Sequence, residues 1–381
     1  MRILLFHSWI DSLNHFTDDA NVFFKEIGCE TFICTLPLAK EEEAALENFI
    51  KVGLHAVIMY DGIGMSFKEL YDRLGVPVVN ILMDHPMTLW HSIAVPPQKY
   101  IQFSPDENHV VFSKKYWNVE NSLFLPHMGT APVFRGGERP IELLFSGSYT
   151  PIDILLNEIY QVTTEGGLRD ICFHMIDYML MDSAMTIEEA CLNALRDKGT
   201  NPSPRGLAII LTQTKAVDVY IRMCYRDRVV RTILDHGIDI TVIGGGWDKS
   251  DFISYPNFHW VSSMPFDETF QYMRKSKLVL NVMPWFKAGT HDRIFNALLS
   301  GACPVSDKSK WLEEKFKDKE DIAFYDLDNL EALPELIEEL LQNDNLREEI
   351  IRNGQEKVIR HYTTENVIGE ALQKVIDLYY T

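Results

Sequence analysis

Along the first third of the chain, short apolar runs alternate with stretches that carry apolar residues three and four apart. Residues 3–6, 30–36, 55–60 and 77–83 read as strands, and 16–27, 40–52 and 67–74 as half-buried helices, the first closed by Gly28. Residues 110–113 and 122–125 read as two further strands. Strands that are apolar on both faces and alternate with helices predict a parallel sheet covered on each side. The pattern breaks at residues 126–140, where the run G-T-A-P-V-F-R-G-G-E-R-P reads as an interdomain linker. A second alternation follows. Strands are predicted at 141–146, 239–243, 258–261 and 278–283, with helices at 216–234, 266–275, 330–341, 346–358 and 364–379. Residues 151–198 read as helical and irregular, and 200–205 as a polar loop. Each half therefore reads as a doubly wound α/β unit, in which ligands bind beyond the carboxyl ends of the strands.

Composition narrows the function classes. The chain has 381 residues, 46% of them hydrophobic, enough for two cores. A net charge of −19 argues against a nucleic-acid footprint and against adhesion to anionic lipid. It leaves room for a phosphate ligand held by one local basic cluster. The six cysteines (29, 34, 172, 191, 224 and 303) form no C-x-x-C pair, so no zinc site is expected and reduced, mostly buried thiols are. The opening M-R-I-L-L-F-H reads as a strand rather than a signal peptide. No apolar run nears the roughly 20 residues of a membrane helix. These features together predict a soluble, cytoplasmic protein.

Four constellations carry candidate chemistry. The most informative is residues 287–307, K-A-G-T-H-D-R-I-F-N-A-L-L-S-G-A-C-P-V-S-D. Gly289 makes a tight loop, Thr290 is placed to cap a short apolar helix, and the helix N-terminus offers free N–H groups and partial positive charge. His291 and Arg293 add donors. The helix start favours a neutral imidazole, and a guanidinium matches phosphate geometry. Asn296 shares Arg293's side of the helix and suits a ribose diol; Asp307 follows in a second polar turn. The bland alternative is a helix with a surface arginine. Second, Gly244, Gly245 and Gly246 directly follow an apolar strand, either to admit a ligand or only to make a tight turn. Third, Arg226 and Arg228 lie two apart on a helix, so at most one serves a site; a solvated face is the alternative. Fourth, Asp84 and His85 end a strand of the first half, where either suits a base for an acceptor hydroxyl. His7, Asp11 and His15, just after the first strand, and His127 are acceptor-side candidates, each against a purely structural histidine or carboxylate.

These residues resemble the group-one glycosyltransferases of the GT-B fold, and more narrowly the spore-maturation (CgeB-like) branch. Leu123 to His127 leading into Glu142 to Ser148, Tyr225 to Trp247, and above all Leu278 to Asp307 carry the resemblance. It spans roughly residues 120–360. One departure is Asn296, where the family has Glu; Ala288 occupies the earlier acidic position of the wider E-x7-E pattern. The resemblance implies two Rossmann-like domains facing a cleft: 1–135 on the acceptor side, and 136–361 on the donor side with a helical insert at about 151–205. The final helix, 362–381, would cross back to the first domain. It further implies a metal-independent transferase without a cofactor, using a UDP, GDP or TDP sugar and a glycan or protein acceptor. Arg293 and His291 would stabilise the leaving diphosphate, with Arg228 as second choice. Gly245, Gly246, Gly289, Thr290, Asn296 and Asp307 would line the donor site. A non-catalytic sugar-nucleotide or glycan-binding partner, for which Asn296 speaks, stands as the alternative. An epimerase or phosphorylase ranks below it, and a nicotinamide dehydrogenase last, because the fingerprint glycines are wrong.

Overall fold

The computed structural model describes residues 1–93, 95–162 and 166–380. The chain divides into two compact units, Met1–Thr130 with Arg360–Thr381, and Ala131–Ile359.

The first unit holds a six-stranded parallel sheet: β1 (Arg2–His7), β2 (Glu30–Thr35), β3 (Ala56–Tyr60), β4 (Val78–Ile81), β5 (Tyr100–Ser104) and β6 (Ser122–Phe124), in the order β2-β1-β3-β4-β5-β6. Strands β3, β4 and β5 are buried along their whole length, as continuous apolar runs in a two-sided parallel sheet require. The C-terminal helix Thr364–Tyr379 belongs to this unit. Thr364 Oγ1 donates to the Asp19 carboxylate, and Tyr380 Oη to the His55 carbonyl.

The second unit holds β7 (Ile141–Ser146), β8 (Ile240–Ile243), β9 (Phe258–Val261), β10 (Ser276–Asn281), β11 (Cys303–Asp307) and β12 (Ala323–Tyr325). All are parallel, in the order β12-β11-β10-β7-β8-β9. Between β7 and β8 the described residues form helices Ile152–Val162, Gly166–Met181, Ile187–Asp197 and Pro204–Gln213 before the long helix Ala216–Asp235. Each of the two middle boundaries has a chemical cause. Thr186 and Glu189 form a reciprocal capping box, and Ser203 caps a helix with proline in its first turn. Residues 163–165, within the stretch read as helical, and Thr381 lie outside the described residues.

The sequence reading needs correction in one place. Residues 110–113 are not a strand; they lie in the helix Glu107–Trp117, capped by Asp106, whose carboxylate accepts from Asn108 N at 2.7 Å. Val111 faces solvent, while Phe112 is buried. Strand β12 was missed, and so was β5. Its buried Gln102 and Ser104 interrupt the apolar pattern, and Gln102 Nε2 spends its proton on Ser113 Oγ at 2.6 Å. A buried polar group with a partner is cheap in the structure yet reads as surface in the sequence. Two boundaries also move. The first helix begins at Asp11, and Pro204 opens a helix where a loop was expected.

The glycine run after β8 is explained by backbone packing within the unit. A Cβ on Gly246 (φ +87°) would lie 1.9 Å from the Tyr149 carbonyl oxygen, and one on Gly244 would lie 2.4 Å from that of Gly147. The turns after β7 and β8 are pressed together and pinned by Trp247 Nε1 donating to Gly147 O at 2.8 Å. We therefore expect Gly246→Ala to destabilise the protein by about 3 kcal/mol or more. Gly237→Ala, also at positive φ (+77°) but with open space around it, costs only about 1 kcal/mol. Denaturant midpoints of the two variants test this; equal losses would show that strain in φ, not backbone contact, sets the requirement.

Candidate functional site

Renumbered from its own first strand, the second sheet has the order 6-5-4-1-2-3, that of a dinucleotide-binding sheet, and its direction reverses between β7 and β10. Ligands in open α/β sheets bind at such a switch point, beyond the carboxyl ends of the strands. Three segments meet there within this unit: the Gly147-Ser148 turn after β7, the glycine turn after β8, and residues 282–291 after β10.

Residues 282–291 are held tightly. Met283 N donates to both carboxylate oxygens of Asp307, at 2.9 and 3.1 Å. Ser309 Oγ donates to Gly289 O at 2.6 Å, and Lys310 N to Lys287 O at 2.9 Å. Lys287 Nζ reaches Ser183 O in the helical insert, and Ser183 Oγ bonds Asp328. Residues 183–184, 283–284, 286–287, 307–310 and 326–328 contribute to the walls of a cavity of about 600 Å³.

The helix that follows runs Asp292–Leu299, and its cap is His291, not Thr290 as the sequence suggested. Extended backbone at His291 brings Nδ1 within 3.2 Å of Arg293 N, while the same atom is 2.8 Å from Asp292 Oδ1. A neutral ring accepts from the backbone; a protonated one would turn to the carboxylate. Burial, reinforced by the charges of Arg293 and Arg226, holds the imidazole pKa below its ordinary value against the pull of Asp292, which favours the neutral cap. Thr290 is fully buried, and its hydroxyl makes no hydrogen bond.

Arg293 is turned inward. Its guanidinium donates to Asn281 Oδ1 at 2.6 Å and lies 5.2 Å from the centre of the Phe145 ring; burial lowers its pKa. Arg226 comes to the same ring from the helix Ala216–Asp235, 5.7 Å away, and donates to Ser148 O in the turn after β7. Arg226 and Arg222 both face Trp285, at 5.5 and 4.4 Å, and Arg222 pairs with Asp218 at 2.7 Å. The outcome is a pair of buried guanidiniums, Arg226 and Arg293, with the neutral His291 beside them at the switch point.

Other candidates fall elsewhere. Arg228 is exposed beside Tyr225, so of the two arginines on that helix Arg226 faces the cluster. The i, i+4 spacing of Arg222 and Arg226 was the signal available in the sequence. Asn296 is fully buried. Its Oδ1 accepts from Ala131 N and its Nδ2 donates to Asp292, both at 3.0 Å, so this amide ties the helix to the segment entering the unit rather than reaching for a diol. Gly245 is half-buried and accepts from Tyr149 N.

In the first unit, Asp84 follows β4 next to Asp61, which the sequence reading missed. Asp61 has φ +48°, accepts from Met83 N at 2.8 Å, and is pushed up to about 7 by burial and by Asp84. His85 is buried, accepts from Met87 N, and packs its ring 4.4 Å from His109 and 4.8 Å from Phe112. His127 is buried too. His7 bonds Asp18 and His15 bonds Thr130, each at 2.9 Å; Asp11 is exposed at the start of the first helix.

Burial raises the Asp307 pKa from 3.8 to about 7, against the pull of Met283 N, Lys287 and Arg293. The folded state thus keeps a proton that the unfolded chain releases. This contribution to stability is full below pH 4 and is lost as pH rises through 7. Asp307→Asn keeps an acceptor for Met283 N and removes the titration. Its stability relative to the parent should be higher at pH 8 than at pH 5 by roughly 2–3 kcal/mol. Urea titrations at both pH values check this, and a pH-independent difference would count against it.

Residues 226–373 match the family model of glycosyl transferase-like proteins. No curated protein matches the sequence. Among solved structures, the chain is similar to sucrose-phosphate synthase from Thermosynechococcus elongatus (9% identity, TM-score 0.59, 100% of this chain and 99% of that one). It is similar also to a glycosyltransferase from Rickettsia africae (8%, 0.55, 100% and 99%). A third similar structure is Anabaena HepE in complex with UDP and glucose (10%, 0.52, 98% and 100%). The chain spans 54% of the length of TarM, at a TM-score of 0.46. Two parallel six-stranded sheets flanked by helices and these neighbours make the fold that of the GT-B glycosyltransferases.

Proposed function

We propose that the protein is a glycosyltransferase of the CgeB-like type that takes a sugar from a nucleotide-diphosphate donor to a hydroxyl of a glycan or protein, without a metal ion. One observation carries the reading: Arg226, Arg293 and His291 gather at the switch point of a sheet with dinucleotide-binding order, in a protein whose net charge is −19. A diphosphate leaving group gains negative charge in the transition state. Fixed guanidinium and N–H donors stabilise it there more than in the ground state. Arg226 takes the role first given to Arg228, because it faces the cluster and Arg228 faces water. The donor's base would lie over residues 261–266 beyond β9. On the acceptor side, Asp84 with Asp61 is the candidate base: two neighbouring carboxyls that resist ionising together keep one basic site near neutral pH. Full burial of His85 supports a structural role for it in place of a catalytic one.

A second reading is a sugar-nucleotide-binding partner of a transferase complex. It is favoured by Asn296, which replaces a charged family residue and spends both its amide atoms inside the unit.

Calorimetric titration with UDP, GDP, TDP and ADP, with EDTA present, tests the donor site. One diphosphate should bind in the micromolar range. Arg226→Ala should weaken it roughly 10- to 100-fold, while Arg228→Ala leaves it within about twofold. Arg226→Lys, which keeps the charge but not the fork, should fall between. No binding by any of the four, or equal effects at 226 and 228, would sink the donor-site reading. Slow turnover of the matching nucleotide sugar with an acceptor panel separates the transferase from the binding partner.

A further inference from the structure

The first sheet reverses direction between β1 and β3, so its switch point lies between the loops that follow those two strands. The loop after β1 is Ser8-Trp9-Ile10, and Trp9 is 85% exposed, the most exposed of the large hydrophobic side chains described. Burying an aromatic side chain is worth about 1.5–3 kcal/mol, and this indole forgoes it.

The exposure is not the result of a loose loop. Asn14 Oδ1 accepts from Ser8 N and its Nδ2 donates to Ser8 O, both at 2.8 Å. Ile10 N donates to Ser8 Oγ at 3.1 Å, and Asn14 N to Ile10 O at 3.1 Å. Four hydrogen bonds thus hold three residues in one conformation with the indole outward. The loop after β3 is built with equal care. Asp61 takes a left-handed backbone and Gly62 N donates to Asn80 Oδ1 at 2.8 Å. A Cβ on Gly64 would strike the Phe6 ring of β1 at 2.6 Å. The two loops are therefore rigid neighbours.

We propose that Trp9 is a stacking platform for the pyranose ring of a carbohydrate acceptor, a role that rests on the transferase reading above. An indole face is electron-rich and flat; one face of a pyranose offers a row of C–H groups of slight positive charge. The surrounding side chains fit hydroxyls. Asp11 is exposed two residues on, and Asp61 and Asp84 end the neighbouring strands β3 and β4. Adjacent strands lie about 4.8 Å apart, so the indole loop and the carboxyl pair are separated by one to two strand spacings, the width of a monosaccharide. A sugar stacked on Trp9 presents its hydroxyls toward the carboxyls. The same carboxylates, with Asp18 beside His7, disfavour an anionic ligand such as a nucleotide or an acidic membrane.

Saturation-transfer NMR on the full chain tests the platform, with methyl pyranosides of glucose, galactose, mannose and N-acetylglucosamine as probes. At least one should show transfer confined to protons of one ring face. Trp9→Ala should weaken that pyranoside about fivefold or more, while Trp9→Phe and Trp9→Tyr retain most of it. An indole so exposed can be removed without unfolding, which the melting temperature verifies. Titration of UDP on the same variants distinguishes the two ideas, since nucleotide affinity should not change with Trp9. Loss of nucleotide binding in the parent protein sinks the transferase reading. The platform is overturned if no pyranoside binds, or if binding is untouched by Trp9→Ala. It is equally overturned if Trp9 mediates attachment to phosphatidylcholine vesicles or affinity for uridine instead.

Discussion

The organising constraint in the second unit is the burial of a guanidinium. Arg293 is 7% exposed at the head of an apolar helix, and taking such a charge out of water costs several kcal/mol unless the surroundings repay it. They do so piecemeal: Asn281 accepts from it, the Phe145 ring faces it, and Asp292 supplies negative potential. Much of the local architecture can be derived from this requirement. Asn281 must end β10 with its amide inward, and its other end then donates to Ser306 in β11. Asp307 must sit at the end of β11, where its carboxyl also fixes the backbone of Met283. Residues 282–291 are consequently stitched on both sides.

Burial, more than that charge, sets the state of its neighbours. His291 is buried beside Arg293 and Arg226, so its pKa falls and the ring stays neutral, which lets Nδ1 close the first turn of the helix. Asp307 sits too deep for even two nearby cations to hold it ionised, and its pKa rises. The cluster therefore keeps its positive charge on guanidiniums, which do not titrate, rather than on imidazole, which would. A site for a diphosphate needs that property, since its affinity then varies little across physiological pH.

What the sequence made legible was whatever depends on period and punctuation. Helix Lys40–Val52, strand Phe258–Val261 and helix Thr364–Tyr379 were placed to the residue, because apolar spacing and flanking breakers agree there. The failures share a physical cause, which is polar side chains that work inside. Gln102 and Ser104 hid β5. His291 took the cap from Thr290, because a ring nitrogen one bond farther out reached the Arg293 N–H. Arg226 turns to Phe145 and Trp285 while Arg228 is exposed, a difference that helical phase alone does not give. Asn296 looked available and proved to be engaged. Residues 287–307 pointed to the candidate site, while the identity of the groups that turn toward it depended on contacts between residues 78 to 165 positions apart.

Both units place their most unusual residues after the first strand of the sheet. In one, the Gly147-Ser148 turn receives Arg226 and is pressed against the next turn so closely that two glycines are obligatory. In the other, Ser8-Trp9-Ile10 is fixed by Asn14 and leaves an indole in water. The topologies differ, with the reversal between β7 and β10 in one sheet and between β1 and β3 in the other, yet in each the loop after the first strand borders the reversal. Helices on either side of that line leave from opposite faces of the sheet, so the strand ends there stay uncovered. Folding alone would fill such a gap with small polar residues. Buried guanidiniums in one unit and a rigid exposed aromatic in the other are costly choices at the positions where the fold leaves room for a ligand.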